Sequence, residues 1–482
     1  MTMTKPSLTI LAIALALSAA PASAQEASGP RPAAATAEAR SGGASPRHAL
    51  AQAAGFRALH YCTGLFASGM SEALVEATAG GRSARSAALP MKIDREARTV
   101  SVSYSPDMEP RIAAWRANLG CVQLPIGAKM EAVGALATWP ADVLAPDLDA
   151  RPWPMGDQNA VAKLRKPQAA RLEQVLDQAF LGQAGPYKGA TWGVVVIKDG
   201  KIVAERYGPG YGPHVLSRTN SMCKSLAAGL VGVGVRKGLV DLQEKAPLSE
   251  WARPGDPRGD ITVNDLLHMA SGLYTEAAAD PQQSLYRSGA AAAEVSALNM
   301  VDARPGSRFV YAGSDTILAV RALRQAVGDD DAFISFPHRE LMWKIGMTRT
   351  LVETDWNGDF LASGQCWSTA RDFGRFGLLH LADGKWNGEQ ILPAGWAKYV
   401  STPAPAQPPA RATPGPAYGA QFWIYGGLEG LAPDAYSPGG ALGQYAMIIP
   451  SKNVVVVRRG LDQGEGFKIA KFSSDVVAAL GR

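Results

Sequence analysis

Apolar positions along this chain change spacing several times, and each change predicts a different kind of segment. Leu8 to Leu17 is an apolar run interrupted only by Thr9 behind Lys5, too short to span a bilayer permanently, and Ala22-Ser23-Ala24 follows it. Those three parts make a cleavable secretory signal over 1–24, cut after Ala24. Residues 25–50, rich in Ala, Ser, Gly and Pro, predict a disordered linker. Over 51–135 the spacing is that of a small α+β domain, helical around Ser71–Ala79 and Arg111–Leu119 and alternating as a strand in Thr99–Tyr104. A Pro-rich linker, 136–160, separates it from the rest of the chain, 161–482.

In that larger part Trp192–Lys198 and Lys201–Tyr207 predict two strands around an Asp199-Gly200 turn, which reads as a β-hairpin. Strand patterns return only near the C-terminus, in Tyr418–Ile424, Gln444–Ile449 and Val454–Arg459, before a helix over Phe467–Leu480. Between the two ends the pattern is helical. The expected architecture is therefore α+β: one antiparallel sheet built from both ends of the domain, with a helical subdomain between.

The net charge of +5 is spread along the chain without long basic runs, so no nucleic-acid partner is expected. Apart from the signal no segment predicts a membrane span, so no membrane partner is expected after cleavage. An exported chain would reside in a bacterial periplasm, where its four cysteines can oxidise. Their count leaves the pairing open. Cys62 and Cys121 fall in the same small domain, so a Cys62–Cys121 bridge is expected with Cys223 and Cys366 free. No Cys-x-x-Cys, His-x-x-x-His or His-Glu-x-x-His occurs, so neither a metal nor another cofactor is expected.

The candidate chemistry begins at Ser221-Met-Cys-Lys224, the only Ser-x-x-Lys in the chain, which opens an apolar helical stretch. Positions three apart share a helix face, so the Lys224 amine can take a proton from the Ser221 hydroxyl without any histidine. Burial and the positive helix end both lower the proton affinity of Lys224, and the same helix end suits the Ser221 N–H to an oxyanion. The six histidines lie in no serine-hydrolase context, and no Gly-x-Ser-x-Gly elbow occurs.

Further stretches follow in a fixed order: Ile261–Gly272, Pro305–Ser314 containing Tyr311, Ser368–Asp372, Asp383–Gly388 and Gly440-Ala-Leu-Gly443-Gln444. Together with Ser221-Met-Cys-Lys224 they resemble the class C β-lactamase-like serine hydrolases, in particular the esterase and 6-aminohexanoate-dimer hydrolase branch of the penicillin-recognising superfamily. The resemblance covers roughly 190–480. It implies a β-lactamase/transpeptidase-like fold and an acyl-enzyme on Ser221, with Tyr311 as the phenol that shuttles a proton to the leaving group.

The same resemblance implies that the Ala441 N–H joins that of Ser221 as the second oxyanion donor, with Gly440 permitting close backbone approach. Tyr274 and Trp367 flank motif segments and are expected to line the substrate cleft. Two departures stand out. Gly313 occupies the position where the family's Tyr-x-Asn has an amide, and Ser437-Pro438-Gly439-Gly440 replaces Lys-Thr-Gly, leaving no cation for a β-lactam carboxylate. The expected function is hydrolysis of small esters or linear amides. A β-lactamase or D,D-peptidase is the second reading, and a catalytically silent sensor or scaffold the third. The oligomeric state is not legible.

Overall fold

Valine runs from the two ends of the larger domain meet in one sheet. In the computed structural model, which describes residues 46–79, 84–275, 286–407 and 415–481, Val454–Gly460 lies antiparallel between Thr191–Lys198 and Gln444–Ile449. Lys201–Tyr207 closes one edge. Tyr436–Ser437, Trp423–Ile424 and Ala417–Tyr418 continue the other, and Gly439–Gly440 pairs with Gln444–Tyr445 to complete eight strands. Asp199 and Gly200 at the hairpin tip have φ of 51° and 77°, both left-handed, as a two-residue type I′ turn requires.

These strands carry unbroken valine because both faces are covered. Val195, Ile197, Val455 and Val457 pack against the helices Met222–Arg236 and Ala370–Leu381. Val194, Val196, Val454 and Val456 pack on the opposite face against Lys166–Ala179 and Ile469–Leu480. Thr369 caps the Ala370–Leu381 helix by accepting the Asp372 N–H at 3.1 Å, the role its sequence position suggests.

The expected signal and most of the following linker lie outside the described residues. Residues 46–50, expected in that linker, instead begin the helix Pro46–Phe66, which packs on a four-stranded antiparallel sheet in sequential order, Met91–Asp94, Thr99–Val102, Arg111–Arg116 and Gly120–Gln123. The helix expected over Arg111–Leu119 is thus a strand. Its side chains alternate, Ile112 and Ala114 to one apolar cluster and Ala113 to another, and strand pairing overrides the helix-compatible composition. Leu216 and Trp367, from the larger domain, share the core of this N-terminal unit with Cys62 and Cys121. Both belong to one compact body spanning 44–482.

Candidate active site

Ser221 is the N-cap residue of Met222–Arg236, at the end of a tight approach in which Asn220 takes a left-handed φ of 48°. Two links hold this turn to the strand Cys366–Ser368. The Thr219 N–H donates to the Cys366 carbonyl at 2.9 Å, and Cys223, between Ser221 and Lys224, is disulfide-bonded to Cys366. The expectation that Cys223 and Cys366 are free is therefore corrected: the helix start and the strand bring their Cα atoms to 5.5 Å, within bridging distance. Cys62 and Cys121 form the other bridge.

Lys224 lies one turn into the helix, 2% exposed, and its Nζ donates to the Ser363 carbonyl at 2.7 Å. Burial lowers its proton affinity to a pKa of about 7, so a large fraction is neutral near neutral pH. Its Nζ stands 5.0 Å from the centre of the Tyr311 ring. Burial pushes the Tyr311 phenol well above its usual range, against the opposing effect of a hydrogen bond with the Ser221 side chain. Ser221, Lys224 and Tyr311 are thus brought together.

Tyr311 is itself wedged between Tyr418 and Trp423, each 5.5 Å away by ring centres. Trp423 also sits against the third motif, where a Cβ on Gly439 would lie 2.6 Å from its Cδ1. Gly440 is more tightly constrained, since a Cβ there would meet the Thr219 carbonyl at 2.4 Å and the Met222 nitrogen at 3.0 Å. Glycine is what lets this strand reach the start of the Ser221 helix. Ala441 follows, its carbonyl accepting from Asn220 Nδ2 at 2.8 Å, which ties it to the residue before Ser221.

Gly313 starts the helix Gly313–Val327 and offers no side-chain amide; the hydrogen bond that Lys224 makes goes to the Ser363 backbone instead. No cation faces the third motif from the adjacent strand. Arg458 is fully buried on Asp462 and the Gly443 carbonyl, and Arg459 is spent on Gln444 and the carbonyls of Ser217, Arg218 and Ser368.

Trp367 borders a cavity that Asn220 and Leu442 also line. It is 1% exposed in the core shared with the N-terminal unit, its ring 5.2 Å from His60, because its strand is the middle one of three. Tyr274 is half exposed, held through its N–H to the Met300 carbonyl. The histidines are engaged elsewhere: His48 with Gln52, His60 with Thr78, His214 with Asp157, His268 with the Asn264 carbonyl, His380 with the Phe376 carbonyl, and His338 against Trp139 and Trp343. Among the described residues no group of His, Cys, Asp and Glu side chains could hold a metal ion. Sequence reasoning missed Ser363, Tyr286 and Trp423. The first two carry no motif, while an aromatic on the strand beside the third motif was the available signal for Trp423.

A family model described as Beta-lactamase matches residues 170–458. No curated protein matches the chain. Among solved structures, a candidate 6-aminohexanoate-dimer hydrolase from Bacillus anthracis is 21% identical, covering 66% of this chain and 85% of that one with a TM-score of 0.51. A family VIII carboxylesterase is 15% identical, covering 65% and 97% with a TM-score of 0.52. A penicillin-binding protein homologue from Caulobacter crescentus is 15% identical, covering 65% and 98% with a TM-score of 0.52. At these identities the likeness is one of fold.

Proposed function

Because the chain belongs to the β-lactamase family of serine hydrolases, whose fold also houses esterases and amidases, we propose that it hydrolyses small esters or linear amides through an acyl-enzyme on Ser221. The observation that carries this reading is the buried, readily deprotonated Lys224 amine, one helical turn after Ser221 and 5.0 Å from the centre of the Tyr311 ring.

The two proton affinities divide the work. Tyr311 stays a neutral phenol and cannot be the final acceptor; neutral Lys224 can. As the Ser221 oxygen attacks the carbonyl carbon, its proton passes through the Tyr311 hydroxyl toward Lys224. The tetrahedral oxyanion is held by the N–H groups of Ser221 and Ala441, and collapse expels the alcohol or amine, which takes its proton back from Tyr311. Water then attacks the acyl carbonyl, gives its proton along the same route, and frees Ser221. The substrate carboxylate anchor of a β-lactamase has no counterpart here, which ranks esters and linear amides above β-lactams. Trp423 supplies an aromatic wall beside Tyr311, backed by the buried Tyr418.

Covalent labelling by a fluorophosphonate probe, with the adduct located by mass spectrometry, tests the proposal. A single adduct on Ser221 supports it. No labelling between about pH 6 and 10 supports the silent sensor reading instead.

We further propose export to the periplasm. Lys5, the Leu8–Leu17 run and Ala22-Ser23-Ala24 support it, as do two disulfides in a chain with no free cysteine among its described residues. Sequencing the N-terminus of periplasmic protein should begin at Gln25; an intact Met1 in that fraction contradicts cleavage.

A further inference from the structure

The buried polar groups around Lys224 lead out of the hydrolase domain and into the N-terminal unit along two paths. The first starts at Ser363, whose carbonyl accepts the Lys224 amine and whose hydroxyl is hydrogen-bonded to the Tyr286 phenol. The next two residues are held by the N-terminal sheet. Arg111 donates to the carbonyls of Arg287 and Ser288 at 3.3 and 2.9 Å, and Gln123 donates to that of Arg287 at 2.9 Å. Arg111 is completely buried, and its remaining bonds reach Ala51 on the N-terminal helix and Leu124 after the last strand. At Gly289 the fit is close, since a Cβ would stand 2.2 Å from the Leu124 carbonyl oxygen.

The second path runs through Glu353, which has no exposed surface. Its carboxyl accepts from the Thr63 hydroxyl and, at 2.9 Å, the Cys121 N–H, both in the N-terminal unit, and from Gln365 Nε2 at 3.0 Å. Both paths therefore end in 363–366, the stretch that holds Lys224 through Ser363 and Cys223 through Cys366.

We propose that the N-terminal unit is a working part of the catalytic centre, with Arg111 and Tyr286 as positioning residues that fix the Ser363 carbonyl against the Lys224 amine and keep water from it. The inference rests on the proposed role of Lys224. The polar groups around this amine are the Tyr311 phenol, the Ser221 hydroxyl and, across Ser363, the Tyr286 phenol. The nearby cations Arg218 and Arg287 stack instead on Phe56 of the N-terminal helix, at 5.0 and 5.2 Å. Burial is what makes Lys224 easy to deprotonate, so loosening 363–366 and admitting water raises its proton affinity.

The experiment measures the fluorophosphonate labelling rate against pH for the full chain and for Tyr286→Phe, Arg111→Lys and Gln123→Met, with a thermal melt confirming that each variant is folded. The pH of half-maximal labelling should rise by about one unit in Tyr286→Phe and Arg111→Lys, a roughly fivefold loss of rate near pH 7 that recovers at high pH. Gln123→Met, which removes one of the bonds to Arg287, should shift it less. If Arg111→Lys does not fold, the other two variants decide. Folded variants whose half-maximal pH coincides with that of the parent overturn this inference alone; a parent that never labels overturns the proposed nucleophile as well.

Discussion

Lys224 presents its amine to the face of Tyr311, 5.0 Å from the ring centre, while its hydrogen bond goes to the carbonyl of Ser363. The amine and the phenol are thus packed together but tuned in opposite senses by the same burial. Desolvation penalises whichever form is charged, so it strips the proton from the lysine and keeps it on the tyrosine. An amine and a phenol are held side by side, and among the described residues no carboxylate forms an ion pair with the amine.

The first consequence concerns pH. kcat/KM should climb through a pKa of about 7 as Lys224 loses its proton, with low activity on the acid side. Lys224→Ala should cost about 10²–10⁴-fold, whereas His214→Ala and His268→Ala should stay within about threefold of the parent. A steady-state pH series on p-nitrophenyl acetate decides this, and comparable damage from either histidine would remove lysine from the central role.

Specificity follows from the third motif. With Arg458 and Arg459 both committed inside the sheet, neither is available to anchor a substrate carboxylate at Ser437–Gly440. A charged hydrogen bond of that kind is worth roughly 10–150-fold, so kcat/KM for p-nitrophenyl butyrate should exceed that for nitrocefin by a wide margin. Equal values would restore the β-lactamase reading.

The Cys223–Cys366 bridge closes a separation of 143 residues around the nucleophile turn. Constraining the unfolded chain over such a loop contributes up to about 5 kcal/mol. Cys223→Ala/Cys366→Ala should therefore melt well below the parent, and its labelling rate at Ser221 should fall as the turn loses its tie. Calorimetry with and without reductant provides the check: a parent melting temperature indifferent to reductant speaks against the bridge.

Glu353 provides a stability test. Burial, the largest influence on it, raises its pKa to about 7 against bonds from Thr63, Cys121 and Gln365 that favour the anion. A carboxyl whose folded pKa lies above its unfolded one contributes stability that is complete below the unfolded value and is lost as pH rises through about 7. Glu353→Gln, which cannot ionise, should accordingly improve in melting temperature relative to the parent between pH 5 and 8. A difference that stays constant with pH would show that Glu353 does not titrate in this range.

Much of this site was legible in the residues themselves. Ser221 and Lys224 mark their own helix start, the Asp199-Gly200 hairpin follows from turn chemistry, and Tyr311 and Gly440 stand in motifs whose order matters more than any one of them. What escaped depends on distant chain segments meeting. Ser363 serves through a backbone carbonyl, which any residue possesses. Cys366 could not be matched to Cys223 until the Cys366–Ser368 strand was placed beside the turn at Thr219. Arg111–Arg116 has a helix-tolerant composition and becomes a strand because two neighbours pair with it.

The order of strands in the large sheet also governs when the surroundings of Ser221 are assembled. Val454–Gly460 occupies an interior position, between a strand from the start of the domain and one just before it in sequence. Synthesis delivers that strand long after Ser221. Until it is released, the Thr191–Tyr207 hairpin lacks its inner neighbour, and the glycine strand that must meet Met222 has no sheet to position it. A nascent chain therefore carries Ser221 in an unassembled state until Val454–Gly460 has emerged and paired.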